Sequence, residues 1–290
     1  MAFTVVNKGQ KRVMSEGMRS PDGDLEGVSL VNNITRIILL VEYDGSHYHG
    51  FQLQANLPTI QVEIEKALKR LTGDSVRVVA ASRTDTGVHA RGQVVSFRTR
   101  SLLAPRTFVS GLNYYLPEDI AVRAAYRADN SFNVRSHAIS REYKYYILNS
   151  PTRSPIWEGY SHLVTGELDI EAMNQAAQML VGEHDLASFA SNLGVEIKST
   201  RRNVYQSRVE GEGELVIFNI TANSFLSHQV RNTVGALIRV GLGKMTVEEF
   251  YSIMEARKIG LAGPAAPACG LYLMKVNYKK NIEEYDIEDL

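Results

Sequence analysis

The order of the apolar segments limits the fold of this chain more than any other feature of its sequence. Short runs of strand character alternate irregularly with amphipathic segments of helical length, and residues 202–222 have the pattern of two successive strands that turn at "EGEG". Regular strand–helix–strand alternation is typical of parallel sheets, whereas successive strands joined by a short turn pair antiparallel. We therefore predict an α+β fold with mixed, mainly antiparallel sheets, built from two similar halves.

Hydrophobic periodicity assigns the individual elements. Apolar runs predict strands at residues 36–44, 76–81, 92–98, 120–127, 141–148 and 271–278. Apolar residues spaced every three or four positions predict helices at residues 59–73, 168–182, 227–241 and 246–258. Gly73 and Gly182 are expected to end the first two helices, and Asp169 is expected to cap the second. Thr246 and Glu249 have the spacing of a capping box.

Composition divides the chain into four parts. Residues 1–34 are polar and show no sustained period, so we expect a mobile N-terminal extension. Residues 281–290 hold five acidic and no basic residues, which predicts a loose acidic tail. Between them we expect one α+β half at 35–135 and a second at 136–280. The net charge is zero, but residues 34–280 hold 28 basic and 23 acidic residues, which favours a polyanionic partner.

The cysteine content and the length of the aliphatic runs limit the cellular compartments in which the chain is expected. Its single cysteine, Cys269, excludes an internal disulfide and a cysteine metal cluster, and is typical of a reducing compartment. The longest aliphatic run, residues 37–41, is far shorter than the roughly 20 residues that a membrane-spanning helix needs. We therefore expect a cytoplasmic protein that does not span a membrane.

The stretch "ASRTDTGVHARGQ" at residues 81–93 concentrates charge in a turn. An apolar strand runs into it, a second strand starts near Gly92, and Gly87 permits backbone angles that other residues resist. A loop held between paired strands presents Asp85 rigidly, and the alternation of Arg83 and Asp85 directs both side chains to one side. The pattern fits either a functional site or a surface turn closed by a salt bridge.

The segment "VEYDGSHYHGFQLQ" at residues 41–54 is rich in aromatic and hydrogen-bonding side chains. His47 and His49 form an H-x-H pair of the kind that binds metals. One alternative function is therefore a metal-dependent hydrolase that uses His47, His49, Asp85 and His89. No further ligand stands at a recognisable spacing, so the same segment also fits a turn whose aromatic side chains cover the core.

Basic and aromatic residues are interleaved at residues 132–150, where Arg135, Arg141 and Lys144 lie among Phe132, Tyr143, Tyr145 and Tyr146. Cations beside aromatic faces are suited to binding phosphates and stacking an unpaired base. The pattern also fits a tyrosine-rich strand with one buried face. In the helix predicted at 227–241, Arg231 lies at the boundary of the apolar face, where a guanidinium needs an anion unless it is exposed.

Seven segments occur in a fixed order: "YDGSHYHGFQ", "SRTDTGVHARGQV", "YYLPEDIAV", "FNVRSHAISREYKYYI", "GEHDLASF", "TRRNV" and "FLSHQVRNTVGAL". Together they closely resemble the tRNA pseudouridine synthase A family, and the resemblance covers residues 36 to about 279. Ser82 stands where that family usually has glycine, and Thr86 stands where it usually has alanine. Both residues are small, so we expect the loop to keep its shape with altered hydrogen bonding.

The resemblance implies an isomerase that converts uridine to pseudouridine in the anticodon stem-loop of tRNA, at positions 38, 39 and 40. It implies two halves joined around a central basic cleft, tRNA as partner, a homodimer, no cofactor and no catalytic metal. It also makes Asp85 the catalytic carboxylate, with Arg83, Tyr143 and Arg231 as substrate-binding residues.

The chemistry gives each of these residues a task. Asp85 must be ionised to act as base or nucleophile, and a paired Arg231 would keep a buried carboxylate charged. Tyr143 is expected to stack on a flipped uridine, while Arg83 braces the vacated position or holds adjacent phosphates. Candidate contacts to the RNA backbone are Arg135, Arg141, Lys144, Arg201 and Arg202. A second alternative is a catalytically silent tRNA-binding protein.

Overall fold

The computed structural model describes residues 34–191 and 199–285, and its strands form one ten-stranded open sheet. The strands are β1 (Thr35–Tyr43), β2 (Val79–Ala80), β3 (His89–Thr99), β4 (Ile120–Ala128), β5 (Ser140–Asn149), β6 (His162–Val164), β7 (Gly182–Asp185), β8 (Arg201–Glu212), β9 (Leu215–Ala222) and β10 (Leu271–Asn277). The helices are α1 (Ile60–Thr72), α2 (Pro105–Tyr115), α3 (Ile170–Gln178), α4 (Gln229–Gly241) and α5 (Val247–Ala256).

The sheet runs in the order β4-β1-β3-β10-β5-β9-β8-β7, with β2 paired to β3 and β6 paired to β5. Among the described strands, only the pairs β10–β3 and β5–β6 are parallel. The last strand, β10, lies between β3 and β5 and so connects the earlier strands β1, β3 and β4 to the later strands β5, β7, β8 and β9. The prediction of an α+β fold with mainly antiparallel sheets is confirmed. The division into halves at residues 135 and 136 stays a prediction.

The helices bury their apolar faces against the sheet and against one another. Ile64 and Leu68 of α1 have no exposed surface, and neither does Phe108 of α2. Leu237 of α4 and Phe250 of α5 are equally buried in the second part of the chain. Each such side chain stabilises the fold by roughly 1.5–3 kcal/mol relative to an exposed one. Across the described residues, no helix is both long and apolar enough to cross a membrane.

The helix caps predicted at Gly73, Asp169 and Thr246 are present. The Asp169 carboxylate accepts a hydrogen bond from the Ala172 backbone N–H at 2.9 Å. Thr246 and Glu249 exchange hydrogen bonds of 2.8 and 3.1 Å as a capping box. Gly73 ends α1 with a φ of +79°, a left-handed conformation that glycine adopts without steric strain. These residues fix the start of α3 and α5 and the end of α1, as the sequence predicted.

Several elements differ from the sequence-based expectations, including β6 and β7, which were not predicted. Helix α2 was not predicted, because Gly111 interrupts its helical sequence pattern. Gly111 packs closely against α1: a Cβ at this position would come within 2.5 Å of Leu71 Cδ1. Helix α3 ends at Gln178, because Gly182 starts strand β7 instead of ending the helix. Of the strand predicted at 76–81, only Val79–Ala80 pairs.

The two terminal segments lie mostly beyond the described part of the chain. The expected mobile extension, residues 1–34, falls outside it except for Ile34. Of the expected loose tail, residues 286–290 are outside, whereas Ile282–Tyr285 form a short 3₁₀ turn. Ile282 packs against the hydrophobic core, so the start of the tail is part of the folded structure.

Candidate active site

Asp85 lies in the loop of residues 81–88 that joins β2 to β3, called the Asp85 loop below. The two strands pair antiparallel, and the Val88 N–H donates to the Asp85 carbonyl oxygen at 3.1 Å. Gly87 has a φ of +75°, which is accessible to glycine at no steric cost. The expectation that Gly87 permits a tight turn between two paired strands is confirmed.

Buried polar side chains hold the inner side of the Asp85 loop. The Tyr43 hydroxyl and Thr84 Oγ1 share a hydrogen bond of 2.7 Å. Gln93 in β3 accepts from the Ser82 backbone N–H at 3.3 Å and donates to the Ser82 carbonyl at 2.7 Å. Moving the loop would leave these buried groups unpaired, which costs about 1–3 kcal/mol for each group. The loop therefore presents Asp85 from a rigid base.

The outer side of the Asp85 loop is held by a second loop, residues 44–58. The Phe51 backbone N–H donates to the Thr84 carbonyl at 3.1 Å. Gly50 has a φ of +83°, and a Cβ at this position would come within 2.7 Å of the Thr84 carbonyl oxygen. Glycine is required here both by its backbone conformation and by the close approach of the two loops.

Two nitrogen-bearing side chains from the start of α4 flank the Asp85 carboxylate. Arg231 Nη1 lies 3.8 Å and His228 Nε2 lies 3.5 Å from Asp85 Oδ2. The Arg231 guanidinium is oriented by a 2.8 Å hydrogen bond from Nε to the Ala266 carbonyl. The expected pairing of Arg231 with Asp85 is present, but the carboxylate is 36% exposed and is therefore only partly buried.

His228 reaches Asp85 from an uncommon backbone conformation. It precedes the first residue of α4 with a φ of +58°, a left-handed conformation that non-glycine residues rarely adopt. Such conformations persist where the surrounding structure fixes them and are concentrated at functional sites. Here the conformation places the imidazole against the carboxylate from the same segment that supplies Arg231.

Asp85 opens onto a cavity of about 190 Å³ between the Asp85 loop, β5 and the start of α4. One part of its wall is apolar and includes Phe225, Leu226 and Val230. The rest is charged: within the described residues that line it, Asp85 is the single carboxylate among four arginines, Arg83, Arg135, Arg141 and Arg231. The cavity is therefore basic around one negative group, and its apolar wall suits a flat, uncharged ring.

Tyr143 lines the cavity from β5. Its hydroxyl shares a 3.0 Å hydrogen bond with Ser82 Oγ, and its ring packs edge-on against Phe225 with centroids 5.1 Å apart. Burial and the nearby Asp85 charge outweigh the Ser82 hydrogen bond and raise the pKa of Tyr143 to about 12. The phenol therefore stays protonated at neutral pH and acts as a neutral hydrogen-bonding group beside Asp85.

Arg141 lines the base of the cavity, and its contacts are with the protein backbone, whereas the sequence predicted a contact with RNA. It is only 8% exposed, and its guanidinium donates four hydrogen bonds of 2.8–3.2 Å to backbone carbonyls, those of Ala81, Arg135, Ala138 and Asn223. Burial lowers the pKa of its guanidinium, but the charge is met by these four acceptors. Arg141 connects the Asp85 loop to β5 and to the residue after β9, so it braces the site.

The remaining predicted cations occupy three different places. Arg83 and Arg135 are exposed at the rim of the cavity. Lys144 alternates with Tyr143 along β5, so its side chain points to the opposite face of the sheet. Arg201 and Arg202 start β8, where Arg201 pairs with Glu183 at 2.8 Å and Arg202 donates to the Ser199 carbonyl at 2.8 Å. The structure thus brings Arg83 and Arg135 to Asp85, but not Lys144, Arg201 or Arg202.

The four residues of the hydrolase alternative do not meet at one point, although His49 and Asp85 line a common hollow. His47 lies 3.7 Å from Asp119, while His89 is buried with Nδ1 3.0 Å from Asp44. Burial lowers the pKa of His89, which favours its neutral form in this structural position. Across residues 34–191 and 199–285, no three His, Cys, Asp or Glu side chains are placed to hold a metal ion.

Sequence reasoning missed three contributors to the site. His228 and Phe225 both belong to the segment "SFLSHQVRN", but their contacts with Asp85 and Tyr143 depend on how α4 meets the Asp85 loop. Ser82 was noted only as a departure from the family pattern, although its hydroxyl reaches Tyr143. The polar residues before α4 were the one sequence signal for these contributors. The helical pattern of α4 does not show that this segment lies next to Asp85.

Comparison with known proteins places the chain in a family. A family model described as tRNA pseudouridine synthase matches residues 39–135 and 176–279. A relative named tRNA pseudouridine synthase A from Methylacidiphilum infernorum (isolate V4) is 40% identical over 245 residues, covering 84% of this chain and 96% of its own. Relatives of the same name from Legionella pneumophila (strain Corby) and Thermoanaerobacter sp. (strain X514) are 43% and 41% identical, covering 84% and 83% of this chain and 93% and 99% of their own. This chain belongs to the tRNA pseudouridine synthase family.

Proposed function

We propose that this chain isomerises uridine to pseudouridine in the anticodon stem-loop of tRNA, at positions 38, 39 and 40, with Asp85 as the catalytic carboxylate. Family membership supports the reaction. The observation that carries the residue assignment is the position of Asp85, a single carboxylate on the wall of a basic cavity with Arg231 at 3.8 Å. A protein that only bound RNA would gain nothing from a negative charge at this point.

The reaction breaks the bond between uracil N1 and ribose C1′, turns the base, and forms a bond from C5 to C1′. The C5 proton is lost and N1 gains a proton, so the product is an isomer. In this reaction Asp85 either removes a proton from the sugar or acts as a nucleophile that adds to the sugar or to the uracil ring. Both routes need the ionised carboxylate. The Arg231 guanidinium lies 3.8 Å from Asp85 Oδ2, and the attraction between the two opposite charges holds the carboxylate in the cavity wall.

The cavity walls supply the other requirements of the reaction. Phe225 and Leu226 offer an apolar surface to the uracil ring, and base–aromatic contact is worth about 1–3 kcal/mol. The protonated Tyr143 hydroxyl, held by Ser82, provides a neutral hydrogen bond next to the reacting atoms. Departing uracil delocalises its own negative charge, so cleavage of the bond to C1′ requires no proton donor, and N1 takes up its proton after the base has left.

The target uridine must leave its stem to reach Asp85, which costs a few kcal/mol. Arg83 and Arg135 at the cavity rim are placed to hold the phosphates on either side of the extruded nucleotide. Arg201 and Arg202 remain proposed contacts to more distant phosphates. We further propose a homodimer as the working form, as the resemblance to the family implies. We also propose a cytoplasmic location, which the single cysteine and a tRNA substrate support.

Mapping of pseudouridine in tRNA tests the proposed reaction directly. tRNA from cells with and without this protein is compared at every uridine, and an unmodified transcript is treated with the purified protein. We expect pseudouridine at positions 38, 39 and 40 to disappear from cells that lack the protein and to form in the transcript. Unchanged modification in both experiments would reject the proposal.

A further inference from the structure

A second hollow adjoins the cavity already described, and the two share Asp85. It has a volume of about 240 Å³ and shares four residues with that cavity, Thr84, Asp85, His228 and Arg231. Its remaining wall consists of His49, Gln52, Gln54 and Thr86. Asp85 therefore stands on the wall between two adjoining spaces, and the proposed reaction uses only the first of them.

The two hollows differ in their chemistry. The first has an apolar wall that includes Phe225, Leu226 and Val230, whereas every residue that lines the second has a polar side chain. In the second hollow the formal charges of Asp85 and Arg231 cancel. A polar and electrically balanced hollow suits a neutral hydrogen-bonding group better than an apolar ring or a phosphate.

The loop that supplies this wall is held against the Asp85 loop. The Gly87 backbone N–H donates to the Tyr48 carbonyl at 3.3 Å, and the His49 backbone N–H donates to the Pro58 carbonyl at 2.9 Å. Gln54 Nε2 donates to the His49 carbonyl at 2.5 Å. The hydrogen-bonding groups of the loop are therefore pre-organised next to Asp85, although the side chains of His49, Gln52 and Gln54 are exposed.

We propose that the second hollow binds the ribose of a nucleotide adjoining the target uridine, through its 2′-hydroxyl. This inference rests on the proposed function, because it takes the first cavity as the site of the extruded base. Consecutive nucleotides of one strand then occupy the two adjoining hollows. The 2′-hydroxyl both donates and accepts hydrogen bonds, as the carboxamides of Gln52 and Gln54 do, and it is the group by which proteins distinguish RNA from DNA.

The test couples a change in the protein to a change in the RNA. Anticodon stem-loop RNAs are prepared with a single 2′-deoxy nucleotide on the 5′ side of the target, on its 3′ side, or at a stem position away from it. Their dissociation constants are measured for the wild-type protein and for the double variant Gln52→Ala/Gln54→Ala. The control variant is Gln206→Ala, which removes an exposed glutamine from β8, a strand that contributes no residue to either hollow.

For the wild-type protein we expect one flanking 2′-deoxy substitution to weaken binding by about fivefold to tenfold, the loss expected from one or two neutral hydrogen bonds. In the double variant the same substitution should change binding by less than about twofold, because the partners of the hydroxyl are gone. Gln206→Ala should behave as the wild type. An effect of deoxy substitution on sugar conformation alone would persist in the double variant, so the comparison removes it.

Two results would overturn the ribose assignment: flanking 2′-deoxy substitutions that leave wild-type binding unchanged, or a loss of the same size in the wild type and the double variant. Failure of the proposed function has a different signature. In that case the wild-type protein forms no pseudouridine in the all-RNA stem-loop, whatever the binding constants are. The binding cycle and the product assay therefore report on the two proposals separately.

Discussion

Arg231 Nη1 lies 3.8 Å from Asp85 Oδ2, although the arginine belongs to α4 and the aspartate to the loop between β2 and β3. The contact connects the two parts of the chain across the cavity. Strand β10 joins β3 to β5 within one sheet, so the strand that follows the Asp85 loop and the strand that carries Tyr143 belong to the same framework. The site therefore exists only when both parts are folded together.

Arg231→Met should slow the reaction much more than it weakens RNA binding. The substitution keeps a long side chain but removes the cation near Asp85 and the hydrogen bond to Ala266. We expect the single-turnover rate to fall by about 100-fold to 1000-fold, as when one pre-organised electrostatic contact is removed. The dissociation constant for a stem-loop RNA should change less than about fivefold, the scale of one lost contact. A loss confined to binding would contradict this role.

Ser82→Ala should lower the rate through Tyr143. It removes the hydroxyl that lies 3.0 Å from the Tyr143 hydroxyl and leaves a small side chain in the loop. We expect a rate loss of about threefold to tenfold, the value of one neutral hydrogen bond. In a Tyr143→Phe background the same substitution should have almost no effect. Equal losses in both backgrounds would show that Ser82 acts independently of Tyr143.

Arg141→Met should destabilise the fold, whereas Lys144→Met should not. Arg141 donates to four backbone carbonyls below the cavity. Without it, one buried and three partly buried carbonyl acceptors lose their partner, and the free energy of unfolding should fall by about 2–4 kcal/mol. Lys144 lies on the opposite face of the sheet, and its substitution should change that free energy by less than about 1 kcal/mol. Urea denaturation of both variants measures the difference, and equal stability would contradict the bracing role of Arg141.

Phosphate contacts at the cavity rim predict a strong dependence of RNA binding on salt. Each arginine that neutralises a phosphate contributes about 0.7–0.9 to the slope of log K against log salt concentration. Arg83→Ala and Arg135→Ala should each reduce the slope by about that amount, while Lys144→Ala should leave it unchanged. Titrations at several salt concentrations measure the slopes. A flat dependence for the wild-type protein would exclude a basic cleft as the RNA-binding surface.

The positions of most helices and strands were predictable because local patterns determine them. The capping box at Thr246 and the glycine stop at Gly73 are short-range features, and the structure contains both. Helix α2 was not predictable in this way, since Gly111 is explained by its packing against Leu71 of a different helix. A residue chosen for a tertiary contact weakens the local signal on which the prediction depends.

The residue types of the site were predictable, but several of their contacts were not. The ordered segments pointed to Asp85 and Arg231, which the structure brings together. Arg141 was expected to contact RNA because basic and aromatic residues are interleaved around it. Its four carbonyl partners come from segments that only the fold brings together. His228 and Ser82 likewise act across long sequence separations, which no local pattern reports.

The most direct test of the account is tritium release from tRNA that carries 5-³H-uridine, measured for the wild-type protein and for Asp85→Asn. The substitution removes the charge and preserves the shape of the side chain. Asp74→Asn, an exposed aspartate beyond α1, is the matched control. We predict that Asp85→Asn lowers the rate by about 10⁴-fold while it still binds the tRNA, and that the control releases tritium as the wild type does. Release by a folded Asp85→Asn protein within about tenfold of the wild-type rate would contradict the account, since such a loss is too small for a catalytic carboxylate.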